Sequence, residues 1–97
     1  MNGEGGIFSL YDTKAEAFLP TFNAPTNAVA IRVVSNMVNG GNDDVICKHP
    51  DDFSLFRLGT INLNDGTVIP EKVNLGNCVE FRTHVENVKG QMIDETA

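Results

Sequence analysis

Cys47 and His49 lie two residues apart and are the first pair in the chain whose side chains could do chemistry. A thiol beside an imidazole is the arrangement of a cysteine nucleophile, in which the imidazole takes the thiol proton. The surrounding sequence supplies neither a third group to orient His49 nor an oxyanion-stabilising element. We therefore interpret His49 as a packed, hydrogen-bonded side chain. Cys47 and Cys78 have neither zinc nor CxxC spacing, and we interpret them as reduced, buried thiols.

Two pairs of adjacent carboxylates, Asp43-Asp44 and Asp51-Asp52, are the other candidates for metal or acid–base chemistry. Such sites need carboxylates that converge from different elements. The first pair lacks the glycine and the closing glutamate of a calcium loop, and loop solvation and helix capping explain both pairs. The motifs GxxxxGK[ST] and GxGxxG do not occur in the sequence, which excludes an NTP-driven enzyme. We expect no catalytic residue, no metal and no cofactor.

Aromatic and basic side chains remain as candidates for binding. Stacking of bases on aromatic rings supports binding of single-stranded DNA without sequence preference. We expect the six phenylalanines mostly in the core, whereas Tyr11, near Lys14, is expected at an exposed strand end. The chain has seven basic and thirteen acidic residues, a net charge of −6, and no two basic residues are adjacent. Because DNA affinity comes mostly from neutralised phosphates, tight nonspecific coating of DNA is disfavoured.

Length and composition indicate one domain with a modest core. The chain has 97 residues, of which 41% are hydrophobic and 21% charged, as in ordinary globular proteins. It contains no apolar run near the ~20 residues that span a bilayer, and the first residues, MNGEGG, lack the features of a signal peptide. We expect a soluble, intracellular protein with a flexible N-terminus at 1–6, a single α+β domain at 7–93 and a flexible C-terminus at 94–97.

The most distinct element is a helix predicted over 26–39, with Thr26 as its N-cap and Gly40-Gly41 after its end. Apolar residues recur along it at the spacing of a buried helical face. They are Ala30, Val33, Val34, Met37 and Val38. We expect Val33, Val34 and Met37 to be buried, so that Val33→Asp would strongly destabilise the domain. Polar residues form the opposite, solvated face: Arg32, Ser35, Asn36 and Asn39.

Strands are predicted at 7–11, 18–23, 56–63 and 67–73. A short extended piece is predicted at 45–47, and a single helical turn is predicted at 50–52. Pro20 places the second strand at an edge or a bulge, and Asp65-Gly66 predicts a tight hairpin between the last two. A bulge at Gly59 would turn four apolar residues of the third strand toward the core. They are Phe56, Leu58, Ile61 and Leu63. The predicted fold is α+β, a small ββαββ-like domain with one helix packed on a mostly antiparallel four-stranded sheet.

Four blocks of sequence carry a resemblance to a known family. They are Tyr11-Asp12, PTNAVAIR at 25–32, HPDDFSLFRLG at 49–59, and Ile69-Pro70-Glu71. In this order the blocks resemble the small non-structural protein of gokushovirus-type microviruses, which are small single-stranded-DNA bacteriophages. The resemblance runs from residue 7 to residue 71, and the block at 49–59 is its specific part.

The resemblance implies an accessory role in viral DNA synthesis and packaging in the host cytoplasm, and it brings no catalytic residues with it. Arg32 and Arg57 lie inside the matching blocks. With Tyr11 and Lys14 they are the predicted DNA-binding residues. Because few phosphates can be engaged, we expect weak binding that favours flexible single strands over duplex.

The negative charge favours a second hypothesis, in which the chain is a protein–protein adaptor. It would bind the viral replication initiator, procapsid proteins or itself, without gripping DNA strongly. We also expect a homodimer built partly on strand edges, because a small core and an edge strand containing Pro20 both favour self-association. We expect no membrane partner.

Overall fold

The chain runs through three strands, a helical segment and two further strands. A computed structural model describes residues 3–41 and 44–82. The strands are β1 (Glu4–Asp12), β2 (Ala17–Phe18), β3 (Phe22–Ala24), β4 (Phe53–Asn62) and β5 (Val68–Asn77). The helices are α1 (Asn27–Val38) and α2 (Val45–Lys48), and 3₁₀ turns occupy Pro50–Asp52 and Cys78–Phe81.

All five strands form one antiparallel sheet with β1 and β4 at its centre. One side of β1 pairs with β4, and its other side pairs with β2 and β3 in succession. β5 pairs with β4 and forms the far edge. The predicted α+β class is confirmed, although the sheet has five strands rather than four.

The extra strand arises because the predicted strand at 18–23 is interrupted at Pro20. Leu19 N donates to Leu10 O at 2.8 Å, and the Ser9 hydroxyl donates to Leu19 O at 2.5 Å. Pro20 has no N–H with which to continue the ladder, so β2 ends before it and β3 begins after Thr21. The expected edge position and irregularity of this segment are therefore confirmed.

The first strand begins at Glu4, three residues before its predicted start. Gly5 and Gly6 are buried, and Leu63 N donates to Gly3 O, which extends the pairing of β1 with β4 by one hydrogen bond. Glu4 to Gly6 thus belong to the sheet, within the segment 1–6 for which a flexible N-terminus was expected. The expectations for residues 83–97 lie outside the described residues.

Helix α1 begins as predicted, with the Thr26 hydroxyl accepting a hydrogen bond from Val29 N at 3.2 Å. Ala30, Val34 and Val38 are buried against the sheet, and Met37 is half-buried. The predicted burial of Val33 is wrong, since its side chain is 40% exposed. Ala30, Val34 and Val38 are four residues apart and define the centre of the buried face of α1. The side chain of Val33 is exposed because it lies about 100° around the helix axis from that of Val34.

Strand β4 contains the predicted irregularity, but its predicted core residues are wrong. Ile7 pairs with Gly59 while Phe8 pairs with Arg57, so Leu58 is the extra residue of a bulge. The buried side chains of β4 are instead Phe53 and Leu55. Phe56, Leu58 and Ile61 are half-buried, and Leu63 lies beyond the strand and is exposed. The bulge does bring Phe56 and Ile61 to one face, but that face is opposite α1.

Two short connections follow the sequence pattern and one does not. The hairpin turn at Asp65-Gly66 is confirmed, with Gly66 at φ +80°, as is the helical turn at Pro50–Asp52. The piece around Cys47, predicted as extended, is the helical turn α2, because the Asp44 carboxylate accepts from Ile46 N and caps it.

Within 3–41 and 44–82, no helix is long and apolar enough to cross a membrane.

The packing of α1 predicts different effects for two neighbouring valines. Val34→Asp should lower the free energy of unfolding by about 3 kcal/mol or more, because it places an unpaired carboxylate in the core. Val33→Asp should lower it by less than about 1 kcal/mol, because the carboxylate reaches water. Urea denaturation of both variants measures the difference. Equal losses would contradict this orientation of α1.

Candidate nucleic-acid interface

The face of the sheet opposite α1, called the open face below, carries three aromatic rings. Tyr11 and Phe18 are cross-strand partners in β1 and β2, and Phe56 follows on β4. The ring centroids of Tyr11 and Phe18 are 4.9 Å apart and those of Phe18 and Phe56 are 5.3 Å apart, both in edge-to-face geometry. All three side chains are half-buried, so each ring retains accessible surface.

Lys72 of β5 adds a positive charge to the open face. Its Nζ lies 5.9 Å from the centroid of the Phe18 ring, within the range of a cation–π interaction. Asn74, the cross-strand partner of Phe56, is exposed beside it. Asn77 lies on the same face, but its Nδ2 donates to Asp51 O at 3.0 Å and to Ser54 Oγ at 3.5 Å. A ring cluster, an ammonium group and the exposed amide of Asn74 therefore share one surface.

Lys14 lies at the end of the open face that contains Tyr11. It is exposed in the turn after β1, where the Asp12 carboxylate accepts from Lys14 N at 2.9 Å and from Ala15 N at 3.2 Å. This Asx-type turn brings β2 back along β1 and sets Phe18 opposite Tyr11. Two of the four predicted DNA-binding residues, Tyr11 and Lys14, thus lie at the same end of the sheet.

Arg57 lies on the helix side of the sheet, in a dense set of contacts. Its guanidinium is 5.5 Å from the Phe8 ring centroid, and Nε forms a 3.0 Å ion pair with Glu71. Nη1 donates to Asn27 Oδ1 at 2.6 Å and Nη2 donates to Thr60 Oγ1 at 2.8 Å. Arg57 therefore joins the first residue of α1 to β4 and β5, and its charge is already paired with a carboxylate.

Arg32 lies on the solvated side of α1. It is exposed, and it makes no hydrogen bond or ion pair with another residue in the described ranges. The sheet separates it, and Arg57, from the aromatic cluster of the open face. The four predicted residues are thus distributed over two sides of the sheet.

Three residues of the open face were absent from the prediction: Phe18, Phe56 and Lys72. The phenylalanines were assigned to the core because their neighbours are apolar. One local signal could have placed Phe18, since a four-residue turn after Asp12 sets it opposite Tyr11. Lys72 carries no comparable signal, because its position depends on the register shift between β4 and β5.

An apolar groove of about 350 Å³ lies on the helix side, between α1 and the segment that joins β2 to β3. Seven apolar residues line it: Leu10, Leu19, Pro20, Phe22, Val33, Met37 and Ile46. The exposed side of Val33 belongs to this groove. Its lining has the character of a site for an apolar side chain rather than for a nucleotide.

Both cysteines are free thiols. Cys78 is buried, and burial raises the pKa of its thiol to about 11, because the thiolate would lose its hydration. Cys47 is half-buried in α2. The buried thiol is neutral at physiological pH and packs with the core as a small apolar group.

Residues 5–81 match the family described as phage ORF5 protein. The chain belongs to this phage family. The matched range covers the sheet from Gly5 onward, both helices and the last 3₁₀ turn, so the open face and the groove both lie inside it. Searches among curated proteins and among solved structures gave no match.

The packing of Arg57 against Phe8 predicts unequal effects for two neighbouring glycines. A Cβ at Gly6 would lie 2.5 Å from the Phe8 ring and 3.1 Å from Arg57 Nη1, whereas one at Gly5 would make only ordinary contacts. Gly6→Ala should therefore lower the free energy of unfolding by about 1–3 kcal/mol, and Gly5→Ala by much less. Urea denaturation compares the two variants. Equal stabilities would contradict the close packing at Gly6.

Proposed function

We propose that the chain is a non-enzymatic accessory protein of a gokushovirus-type microvirus. It acts in synthesis or packaging of the viral single-stranded DNA, in the host cytoplasm, and contacts single-stranded DNA weakly. Membership of a phage family supports the viral setting. The blocks at 25–32 and 49–59 support the narrower assignment, since they are the parts that resemble the microviral protein.

The observation that carries the DNA contact is the aromatic cluster of the open face with Lys72 beside it. Partly exposed rings on a sheet provide surfaces on which unpaired bases stack, and a neighbouring ammonium group attracts the backbone phosphate. In a duplex the bases are already stacked inside the helix and do not reach such rings. The arrangement therefore favours single strands.

Charge sets the expected strength of this contact. The chain carries a net charge of −6, and the cations placed to help on the open face are Lys72 and Lys14. Arg57 contributes little, because Glu71 already pairs with it. A site that neutralises two phosphates should have a shallow salt dependence, with a slope of about −1.4 in log K against log salt for a single strand.

Fluorescence anisotropy with a labelled oligothymidine tests this site. Lys72→Ala should weaken binding about threefold to tenfold and make the salt slope shallower by about 0.7, because one phosphate contact is lost. Phe18→Ala should weaken binding about fivefold or more by removing a stacking surface. Lys48→Ala is the matched control, since Lys48 is also exposed but lies on α2. Arg32→Ala tests the solvated face of α1 in the same assay.

Equal effects of Lys72→Ala and Lys48→Ala would contradict the open face as the site. Loss of binding only in Arg32→Ala would move the site to α1. A parent protein that binds neither single-stranded nor duplex DNA at low salt would contradict direct contact altogether, in favour of the adaptor function.

The apolar groove is the observation that favours the adaptor as a second candidate. It is lined by seven apolar side chains, one of which is the exposed Val33, as expected of a docking site for a partner's apolar side chain. The replication initiator and the procapsid proteins of the same phage are the partners to test. Val33→Asp should abolish binding of the purified partner, whereas Val79→Asp, at another exposed valine, should not. Equal binding by both variants would exclude the groove.

A further inference from the structure

Strand β5 is the long edge of the sheet, and the described chain leaves it largely uncovered. Helix α1 packs on β3, β4 and the 3₁₀ turn at Cys78–Phe81, and residues 68–74 of β5 are all exposed. Ile69 is 59% exposed and Val73 is 47% exposed, both on the helix side of the strand. The opposite edge is made of strands of two and three residues, which offer far shorter ladders. A long edge strand that exposes apolar side chains such as Ile69 and Val73 is a template for pairing with another strand, although Pro70, Glu71 and Lys72 interrupt its apolar surface.

We propose that β5 pairs antiparallel with β5 of a second copy of the chain, around a two-fold axis at Val73. In such a pairing, residues opposite each other must have side chains on the same face of the sheet. The axis therefore lies midway between two copies of the same residue, and not at a level between two neighbouring residues of one strand. The middle of β5 falls at Lys72 and Val73. An axis at Lys72 would set two ammonium groups opposite each other, which is destabilising.

With the axis at Val73, the cross-strand partners are compatible. The two Val73 side chains are opposite each other, Lys72 is opposite Asn74, and Glu71 is opposite Leu75. No like charges are opposed. Hydrogen bonds between the two β5 strands are limited to the central residues, because Pro70 has no N–H and the register of β5 shifts at Leu75. Apolar contacts between the two Val73 side chains complete the interface.

The two-fold axis would be perpendicular to the sheet, so both open faces would lie on the same side of a ten-stranded sheet. The two Phe56 side chains would be separated by three strand spacings, about 14 Å, with the two Lys72 side chains on either side of the axis. One flexible DNA strand could then contact both aromatic clusters. Two weak contacts on one ligand raise the overall affinity without any new contact, which suits an acidic protein with few cations.

Sedimentation velocity or light scattering measures the predicted mass. The parent protein should have twice the monomer mass of 10.5 kDa at high micromolar concentration. Val73→Glu should return the monomer mass, because two carboxylates would meet at the axis, while Arg57 beside it tolerates the charge in the monomer. Val45→Glu is the control, since Val45 is 54% exposed on α2, and it should leave the dimer intact.

Disulfide cross-linking tests the register directly. Val73→Cys, in a background carrying Cys47→Ser and Cys78→Ala, should form a covalent dimer on oxidation, because Cα atoms opposite each other in antiparallel strands are about 5 Å apart. Val68→Cys, five residues from the axis, should form no covalent dimer in the same background, because the residue opposite it is position 78, where the thiol has been removed. A monomeric parent at every concentration, or equal cross-linking of both variants, would overturn the proposal. Binding of single-stranded DNA by monomeric Val73→Glu would leave the proposed function standing on its own.

Discussion

Among residues 3–41 and 44–82, the twelve-residue helix α1 covers one face of the five-stranded sheet, and the rest of the described structure depends on this constraint. α1 buries Ala30, Val34 and Val38 over Phe8 and Leu55, which places the core on that side. The alternation of side chains along each strand then sends the residues between them to the other side. In the part of the chain that the structure describes, the open face and the exposed β5 are thus consequences of a helix too narrow for the width of the sheet.

Arg57 shows how one of the few cations of this acidic chain is committed to the fold. Its guanidinium contacts α1, β4, β5 and the Phe8 ring at once, and its carboxylate partner Glu71 lies on the edge strand. A cation held in this way fixes the helix on the sheet and has little capacity left for phosphate. Lys72, with no carboxylate at its ammonium group among the described contacts, is the better placed of the two for a ligand.

The local features of the fold could be predicted from the sequence, because they depend on residues close together in the chain. The Thr26 cap, the Asp65-Gly66 turn and the irregularity at Gly59 are of this kind. The face of the sheet that α1 covers could not be predicted, since it depends on how α1 lies across strands that are distant in sequence. The errors at Val33 and Phe56 share this cause. The proposed binding residues follow the same division: the position of Tyr11 at a strand end depends on its local turn, whereas the position of Lys72 depends on the register of β5 against β4.

The alternation in β1 has a consequence for how the sequence can change over time. Phe8 and Leu10 face the core, and Ser9 and Tyr11 face the other way, but Ser9 is fully buried and its hydroxyl donates to Leu19 O. Of these four residues, Tyr11 is therefore the one that can be exchanged with little effect on the packing beneath α1. A change at this position alters the open face while the covered side of the same strand stays as it is.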